Sequence, residues 1–342
     1  MDYSSKYLYG IIPFSENNPV TIPAADSDGT EISAIPYRDI ACVVSDYKGG
    51  FGTGDRKALV RSIQNHQAIM ESLIKDREII PIKFGTKLDG RTAIENMLES
   101  GYFEFHRILA LIKGKIELDV TAFWNSLDAV LKEIAEWNEE ICSIKSAITG
   151  KPYEDTISDR VKIGAIIKSA LDKRRDGIQN KIFECMRREA VDAHAQDVTD
   201  DRVIFSGAFL IEREKEPKFD EILDGLNEDF RGAVNFRCVF PLPPYSFSTI
   251  DIKEVGYDEI LKAKEMLSLG DEATAGDIRE SYRNKTLGTH PDKDPGNPML
   301  GVIFEELTNS YRLLNKFCNG ERCSFRQNDF KRFFYIDTLG AK

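Results

Sequence analysis

The residues with the clearest potential for chemistry stand in the last third of the chain, where His290, Pro291 and Asp292 follow a predicted helix. Because a proline biases the preceding residue away from helical angles, that helix must end at His290 and an exposed turn must begin. Arg279 and Arg283 lie one turn apart on one face of the helix, where they could meet an acidic partner surface. The pattern indicates a recognition surface on this helix and in the turn after it.

Other candidate residues lack the companions that catalysis requires. His66 lies on the apolar stripe of a predicted helix, and we favour a core histidine there over a ligand or a catalytic base. His106 and His194 have no partner that the sequence identifies, and no motif supplies a nucleophile, a base and an orienting group together. The glycine-rich stretch 49–54 lacks the Gly-Lys-Ser/Thr ending of a phosphate loop. We therefore predict a protein that is not an enzyme and has no cofactor.

Six cysteines are scattered along the sequence, and no signal peptide precedes them. Reduced thiols in the cytosol are the expected state of such cysteines. Cys318 and Cys323 lack a nearby histidine or a second cysteine pair. A zinc site is therefore not expected, and we predict no metal.

Charge and hydropathy narrow the range of partners. The formal net charge of −11 and the pI near 5.1 oppose a general role in nucleic-acid binding, which needs a concentrated basic surface. Basic and aromatic residues alternate in the tail, residues 316–335, as in some single-strand binding surfaces. In an acidic chain we favour instead a helix that packs its aromatic side on the rest of the protein. No stretch reaches the roughly 20 apolar residues that span a bilayer, so we predict no membrane association.

Strands and helices interleave over the first third of the sequence. This order predicts a compact α+β sandwich, a ferredoxin-like domain, over residues 1–125. The expected strands are residues 7–12, 40–44, 79–84 and one that ends near 124, and the expected helices are 59–73, 92–98 and 103–112.

The middle of the chain changes to a helical period. Leu127, Ile134, Ile141 and Ile148 stand seven apart, which predicts one long helix with a coiled-coil-like seam. A break at residues 150–152 precedes a second helical stretch, and two such helices should pack antiparallel, with a surface for an external helix as the alternative. A strand, a helix and a strand follow, so we predict a second α+β domain over 126–250 with a long antiparallel helical pair. The predicted segments are residues 203–211, 218–230 and 233–240.

The segment after residue 250 has a characteristic pattern of core and turn residues. They are Ile278, Tyr282, Arg283, Leu287, the run His290-Pro291-Asp292-Lys293, Phe304, Glu306, Tyr311 and Leu314. This pattern resembles a J-domain, the module by which DnaJ-type co-chaperones stimulate DnaK-type ATPases. The resemblance implies an all-α J-domain-like module over 251–342, and it implies that His290, Pro291, Asp292, Arg279 and Arg283 bind the chaperone. Glu280, Asn284 and Gly288 replace residues that are basic in the family, and Lys285 replaces an apolar one. An inert J-like module used only for docking is therefore the alternative.

Five segments between residues 6 and 250 are informative through their order and spacing. They are Tyr7-Leu8-Tyr9-Gly10-Ile11, His66, Ile80-Pro81-Ile82-Lys83-Phe84-Gly85-Thr86, Gly114-Lys115-Ile116-Glu117-Leu118 and Pro241-Leu242-Pro243-Pro244-Tyr245-Ser246-Phe247. We call these the signature segments. Through them, residues 6–250 resemble the gas vesicle F/L family of proteins. Members of that family are accessory components of gas vesicle formation, so the resemblance implies an assembly role without a reaction.

Together the two resemblances imply a cytoplasmic, gas-vesicle-associated assembly protein that binds the main shell protein. The expected partners are the shell protein, other gas vesicle accessory proteins and, where the J-like module is active, a DnaK-type chaperone. The alternative is a minor structural component of the vesicle whose J-like module is inert. A small-molecule-sensing ferredoxin-like regulator is a remoter alternative.

Overall fold

The computed structural model describes residues 4–15, 29–47, 49, 56–289, 298–320 and 322–339. The chain divides into two units. The first comprises Met1–Ser72, Ile79–Ala110 and Ser248–Lys342, and the second comprises Leu73–Glu78 and Leu111–Phe247. The division of the sequence into three domains at residues 125 and 250 stays a prediction.

The first unit contains an antiparallel sheet built around the apolar run near the N-terminus. Its strands are β1 (Ser5–Pro13), β2 (Ile32–Tyr37), β3 (Ile40–Asp46), β4 (Ile80–Pro81) and β5 (Lys87–Asp89). The sheet order is β2-β3-β1-β4, and β5 also pairs with β1. Gly10 in β1 allows the close approach of β4, because a Cβ there would lie 2.8 Å from the backbone oxygen of Ile80.

Two helices accompany this sheet, α1 (Arg56–Ile74) and α2 (Gly90–Ile112). The prediction of two separate helices, 92–98 and 103–112, is wrong, because α2 is continuous through Gly101. A Cβ on Gly101 would lie 2.3 Å from the ring of Phe105 and 2.5 Å from Cδ1 of Ile336. The glycine therefore makes room for tight packing and does not end the helix.

The second unit contains another antiparallel sheet, in the order β7-β8-β6-β9. Its elements are β6 (Lys115–Trp124), α3 (Leu127–Trp137), α4 (Glu139–Ile148), α5 (Ile157–Arg187), β7 (Asp192–Ala195), β8 (Val203–Glu212), α6 (Glu216–Phe230), β9 (Val234–Leu242) and α7 (Tyr245–Ser248), the last ending at the unit boundary. Helix α5 packs on β8 and α6 packs on β9. Phe183 of α5 contacts Phe205 and Phe209 of β8, with ring centroids 6.3 and 6.1 Å apart.

The heptad seam predicted one long helix, and the structure has two. Asn138 separates α3 from α4, and its side chain caps α4 by accepting a hydrogen bond from the backbone of Ile141 at 3.1 Å. Asparagine favours caps over helix interiors because its side chain competes for backbone donors. Both helices pack on α5, as the antiparallel interpretation predicts. Leu171 of α5 is buried, whereas Val161 is 67% exposed, so the first turns of that face are uncovered.

The C-terminal part of the first unit is a helical module with strand pairs added to it. Its elements are β10 (Thr249–Val255), α8 (Tyr257–Met266), β11 (Glu272–Ala273), α9 (Ala275–Thr289), α10 (Pro298–Cys318), β12 (Cys323–Ser324) and β13 (Phe333–Leu339). Helix α10 packs on both α8 and α9. The buried core includes Ile260, Leu267, Ile278, Leu307 and Leu314.

The tail was predicted to be a helix, and that prediction is wrong. Residues 333–339 form β13, which pairs antiparallel with β10. Phe334 and Ile336 are buried while the residues between and after them are more exposed, which is the period-two pattern of a strand. Pairing with β10 therefore places the aromatic residues of the tail on the module without a helix.

Strand β10 also contacts the turn that follows β4 in the same unit. The backbone N–H of Lys83 donates to the carbonyl oxygen of Ile250 at 2.9 Å, and its amine lies 2.6 Å from the Asp251 carboxylate. Ile82 and Ile250 form a parallel bridge. The helical module is therefore joined to the first sheet by backbone hydrogen bonding and by an ion pair.

The predicted fold class, mixed α and β with antiparallel sheets and a helical C-terminal module, is confirmed. Among the helices of the described residues, none combines the length and the apolar content needed to cross a membrane.

Candidate functional site

The candidate recognition surface is the exposed face of α9. Arg279 and Arg283 are both exposed on this face, as their spacing predicts. Glu280 and Asn284, which depart from the family pattern, are exposed beside them. His290, Pro291 and Asp292 lie outside the described residues. The structure therefore presents the guanidinium groups of Arg279 and Arg283, with the carboxylate of Glu280 beside them, on the helix that leads into the predicted turn.

The opposite face of α9 fixes the helix against α10. The rings of Tyr282 and Tyr311 stack with centroids 4.5 Å apart, and the Tyr282 hydroxyl lies 3.1 Å from the Thr308 hydroxyl. Ile278 is fully buried in the module core. The spacing of these residues places them on the inward side while the arginines face solvent.

A reciprocal cap fixes where α9 begins. The Thr274 hydroxyl accepts from the Asp277 N–H at 3.3 Å, and the Asp277 carboxylate accepts from the Thr274 N–H at 2.8 Å. This arrangement satisfies donors that the first turn of a helix leaves unpaired. The backbone hydrogen bond from Thr274 lowers the pKa of the Asp277 carboxyl.

Lys285, which replaces an apolar residue of the family pattern, is accommodated at the edge of the module. It is partly buried, and its amine donates to the Ser268 hydroxyl at 2.8 Å. The substitution therefore keeps α9 attached to the end of α8 instead of adding charge to the exposed face.

Three signature segments meet in a buried cluster of the first unit. Tyr7 of β1 and His66 of α1 are joined by a hydrogen bond of 2.8 Å between the phenol oxygen and Nδ1. The His66 ring also stacks on Tyr9 and contacts Phe84 edge-on, at centroid distances of 5.5 and 5.6 Å. Burial lowers the pKa of the His66 imidazole to about 4 and raises that of the Tyr7 phenol. The interpretation of His66 as a satisfied core histidine is confirmed.

The other two signature segments meet in a buried cluster of the second unit. Glu117 of β6 is 1% exposed. Its two side-chain oxygens accept from the Ser246 backbone N–H at 2.7 Å and from the Ser246 hydroxyl at 2.9 Å, across 129 residues of sequence. Burial raises the pKa of the Glu117 carboxyl well above its usual range, and the neighbouring Asp119 adds to the rise. Sequence inspection did not identify Glu117 as a buried acid, because charged residues are rarely buried.

The remaining histidines have surroundings that the sequence did not reveal. His106 Nε2 lies 3.1 Å from the Asp39 carboxylate, which also accepts from the Tyr102 hydroxyl at 2.6 Å. The His194 ring stacks on Phe247 at a centroid distance of 4.8 Å. Within the part of the chain that the structure describes, no group of three or more His, Cys, Asp or Glu side chains could hold a metal ion.

One pair of cysteines departs from the expected reduced state. Cys318 and Cys323 form a disulfide, with Cα atoms 5.1 Å apart. Cys42, Cys142, Cys185 and Cys238 are free thiols. The expectation of reduced thiols is therefore wrong for Cys318 and Cys323, whose spacing across a turn was the available signal.

Comparison with known proteins identifies both parts of the sequence. A family model described as gas vesicle synthesis protein GvpL/GvpF matches residues 5–249, and a DnaJ domain model matches residues 263–317. Gas vesicle protein F of Nostoc sp. is 23% identical over 250 residues, which are 72% of this chain and 99% of that protein. The mouse DnaJ homolog subfamily C member 5 is 43% identical over 49 residues, which are 14% of this chain and 25% of that protein.

The fold agrees with these matches. The crystal structure of the gas vesicle protein GvpF from Anabaena sp. is similar with a TM-score of 0.60 and 22% sequence identity. The similarity covers 72% of this chain and 98% of that one, and at this identity it concerns the fold alone. Both resemblances noted in the sequence are confirmed. The chain belongs to the GvpL/GvpF family of gas vesicle synthesis proteins and carries a DnaJ domain after the family region.

Proposed function

We propose that this chain is an accessory protein of gas vesicle formation that binds the main shell protein and brings a DnaK-type chaperone to it. The observation that best supports the proposal is a single unit that holds a sheet of the family region together with the helices of the DnaJ domain. Apolar subunits with exposed strands aggregate before they are incorporated into an assembly. A chaperone recruited by the same protein would keep such subunits available. We place this activity in the cytoplasm, at the growing vesicle, alongside other accessory proteins.

On the chaperone side, we assign recognition to Arg279 and Arg283 of α9 and to the His290-Pro291-Asp292 turn. The two guanidinium groups are solvent-exposed and suit carboxylates on a partner surface. Glu280 on the same face reduces the net positive charge, so we expect weak binding that added salt weakens further.

Stimulated ATP hydrolysis tests the chaperone assignment. We expect the full-length chain to accelerate ATP hydrolysis by a DnaK-type chaperone, and His290→Gln to abolish the acceleration. The double substitution Arg279→Ala with Arg283→Ala should reduce it, whereas Lys331→Ala, which removes an exposed charge far along the sequence from α9, should not. Acceleration that survives His290→Gln would refute the assignment.

Co-purification tests the shell assignment independently. We expect the shell protein to co-purify with the full-length chain and with His290→Gln alike, because the substitution lies in the DnaJ domain. A wild-type chain that captures no vesicle constituent would contradict the proposal, whatever its effect on the chaperone.

A minor structural component with an inert DnaJ domain is the second candidate function. The exposed carboxylate of Glu280 beside the two arginines favours it, since the carboxylate weakens attraction to an acidic partner. Under this candidate function, His290→Gln changes neither chaperone ATP hydrolysis nor vesicle formation.

A further inference from the structure

The end of the DnaJ module away from the predicted turn is closed by a covalent bond. Cys318 is the last residue of α10 and Cys323 is the first residue of β12. Helix α9 ends and α10 begins next to residues 290–297, so the disulfide lies at the opposite end of this helix pair. The chaperone surface assigned above makes no use of the bond.

The bond connects the end of α10 to the start of α9 through a strand pair. Strand β12 pairs with β11, with Ala273 opposite Cys323 and Glu272 opposite Ser324. Strand β11 leads directly into Thr274, which caps α9. A covalent link at Cys323 therefore restrains the residues that position the first turn of α9.

We propose that Cys318 and Cys323 form a redox-modification site, at which a low-molecular-weight thiol such as glutathione reversibly opens the bond and loosens the N-terminal end of α9. The two cysteines differ in exposure. Cys318 is 4% exposed and belongs to the module core, whereas Cys323 is only partly buried. We therefore assign the attack to the sulfur of the more exposed residue, Cys323.

Opening the protein disulfide consumes two molecules of the low-molecular-weight thiol. A thiolate attacks the Cys323 sulfur, the disulfide bond breaks, and Cys318 leaves as a thiolate that takes up a proton. A second thiolate attacks the mixed disulfide on its small-molecule sulfur, releasing the Cys323 thiolate, which is then protonated, and the oxidised small-molecule disulfide. Two electrons pass from the small thiols to the protein, and the same disulfide reverses the reaction.

Noncovalent contacts limit the change to this end of the module. The Phe325 N–H donates to the Asp271 carbonyl at 2.9 Å, and the Phe325 ring is buried in the core. Arg322 forms an ion pair with Glu272 at 2.7 Å. These contacts hold β12 in place on average after reduction, so the expected effect is faster local opening and not unfolding.

Hydrogen exchange under defined redox conditions tests the proposal on the full-length chain. In buffer containing glutathione disulfide, we expect Cys318 and Cys323 to resist alkylation. In reduced glutathione both should alkylate, and the amides of residues 272–277 should exchange severalfold faster. Cys318→Ser should show the faster exchange in both buffers, and Cys142→Ser, which removes an exposed free thiol, should behave as the wild type.

Two results would overturn the inference. Complete alkylation of both cysteines in glutathione disulfide would show that no reversible bond forms. A bond that forms and opens without any change in exchange at residues 272–277 would refute its connection to α9. Both comparisons use the wild-type chain, so neither depends on the folding of a variant or on chaperone binding.

Discussion

The two buried clusters built from the signature segments hold opposite kinds of ionisable group. In the first unit, His66 is hydrogen-bonded to Tyr7, and burial lowers the pKa of the His66 imidazole to about 4. In the second unit, Glu117 is hydrogen-bonded to Ser246, and burial raises the pKa of the Glu117 carboxyl. Desolvation favours the neutral form of a base and of an acid alike. Acid should therefore destabilise the first cluster, and alkali should destabilise the second.

Buried polar residues of the signature segments have a structural role. Tyr7 and His66 share a hydrogen bond in the first cluster, and Ser246 donates two hydrogen bonds to the buried side chain of Glu117 in the second. Buried polar groups are costly when left unpaired, so a change at one of them destabilises its partner. The four residues therefore stabilise the two buried clusters.

The largest effect should come from removing the ring at the centre of the first cluster. His66→Ala deletes contacts with three aromatic rings and removes the hydrogen bond between the Tyr7 hydroxyl and Nδ1 of the imidazole. We expect a loss of about 4 kcal/mol in unfolding free energy, measured by urea denaturation. Gln67→Ala, at the exposed next position, should change it by less than about 0.5 kcal/mol. Equal losses of unfolding free energy in His66→Ala and Gln67→Ala would show that the buried cluster around residue 66 does not stabilise the first unit.

Acid should next distinguish the two units. The folded state keeps His66 neutral below its ordinary pKa of 6.5, whereas the unfolded state takes up a proton there. Stability of the first unit is therefore lost as pH falls from 6.5, by about 3 kcal/mol once pH is below 4.

Hydrogen exchange of β1 and α1, corrected for intrinsic rates at each pH, measures the acid effect. Peptides of β6 and β8 report on the second unit under the same conditions. His66→Gln, which cannot titrate, should remove the acid sensitivity of the first unit that arises from this ring. Retention of the full sensitivity in His66→Gln would assign it to other groups.

The second cluster should show the reverse dependence. Its folded state holds the proton of Glu117 above the ordinary pKa of 4.5, so the stabilisation present in acid is lost as pH rises. Glu117→Gln keeps an acceptor for Ser246 and cannot ionise. It should stabilise the second unit by about 2 kcal/mol at pH 9 and by little at pH 4.5.

Denaturant midpoints at the two pH values check this result. Glu221→Gln, at an exposed position of α6, is the matched control and should leave the pH dependence unchanged. A Glu117→Gln variant that is less stable than the wild type at pH 9 would contradict the expected direction.

The smallest effect should follow from trimming one hydrogen bond of the second cluster. Ser246→Ala removes the hydroxyl donor and keeps the backbone donor, so we expect a loss of about 1 kcal/mol. Urea denaturation at pH 7 measures it, with Ser169→Ala on the exposed side of α5 as control. A loss of unfolding free energy as large as that of His66→Ala would show that one hydrogen bond of the second cluster stabilises the fold as much as the whole ring in the first.

Local pattern was sufficient to predict most of the elements and the face of α9 that carries Arg279 and Arg283. It was insufficient where a residue's role depends on distant neighbours. Gly101 looks like a helix break, but it lies inside α2, where a Cβ would lie 2.5 Å from Cδ1 of Ile336. Asn138 interrupts a regular heptad by capping the next helix.

Pairings across the sequence could not be predicted from one chain. The Glu117–Ser246 contact spans 129 residues, and no periodic pattern links them. The tail was likewise predicted to be helical, but it forms β13 because it pairs with β10, which lies far away in the sequence. The predicted turn residues His290, Pro291 and Asp292 remain a prediction, supported by the DnaJ match over residues 263–317.

The backbone hydrogen bond from Lys83 to Ile250 has a consequence for how the protein can be dissected. Truncation of the chain near residue 250 would remove the β10 residue that Ile82 and Lys83 contact. It would also expose the surface of α2 at Gly101, which Ile336 covers in the intact chain. The truncated chain would thus have an apolar surface that is newly exposed to solvent. Such a surface would bind apolar proteins nonspecifically. Point substitutions in the intact chain avoid this artefact.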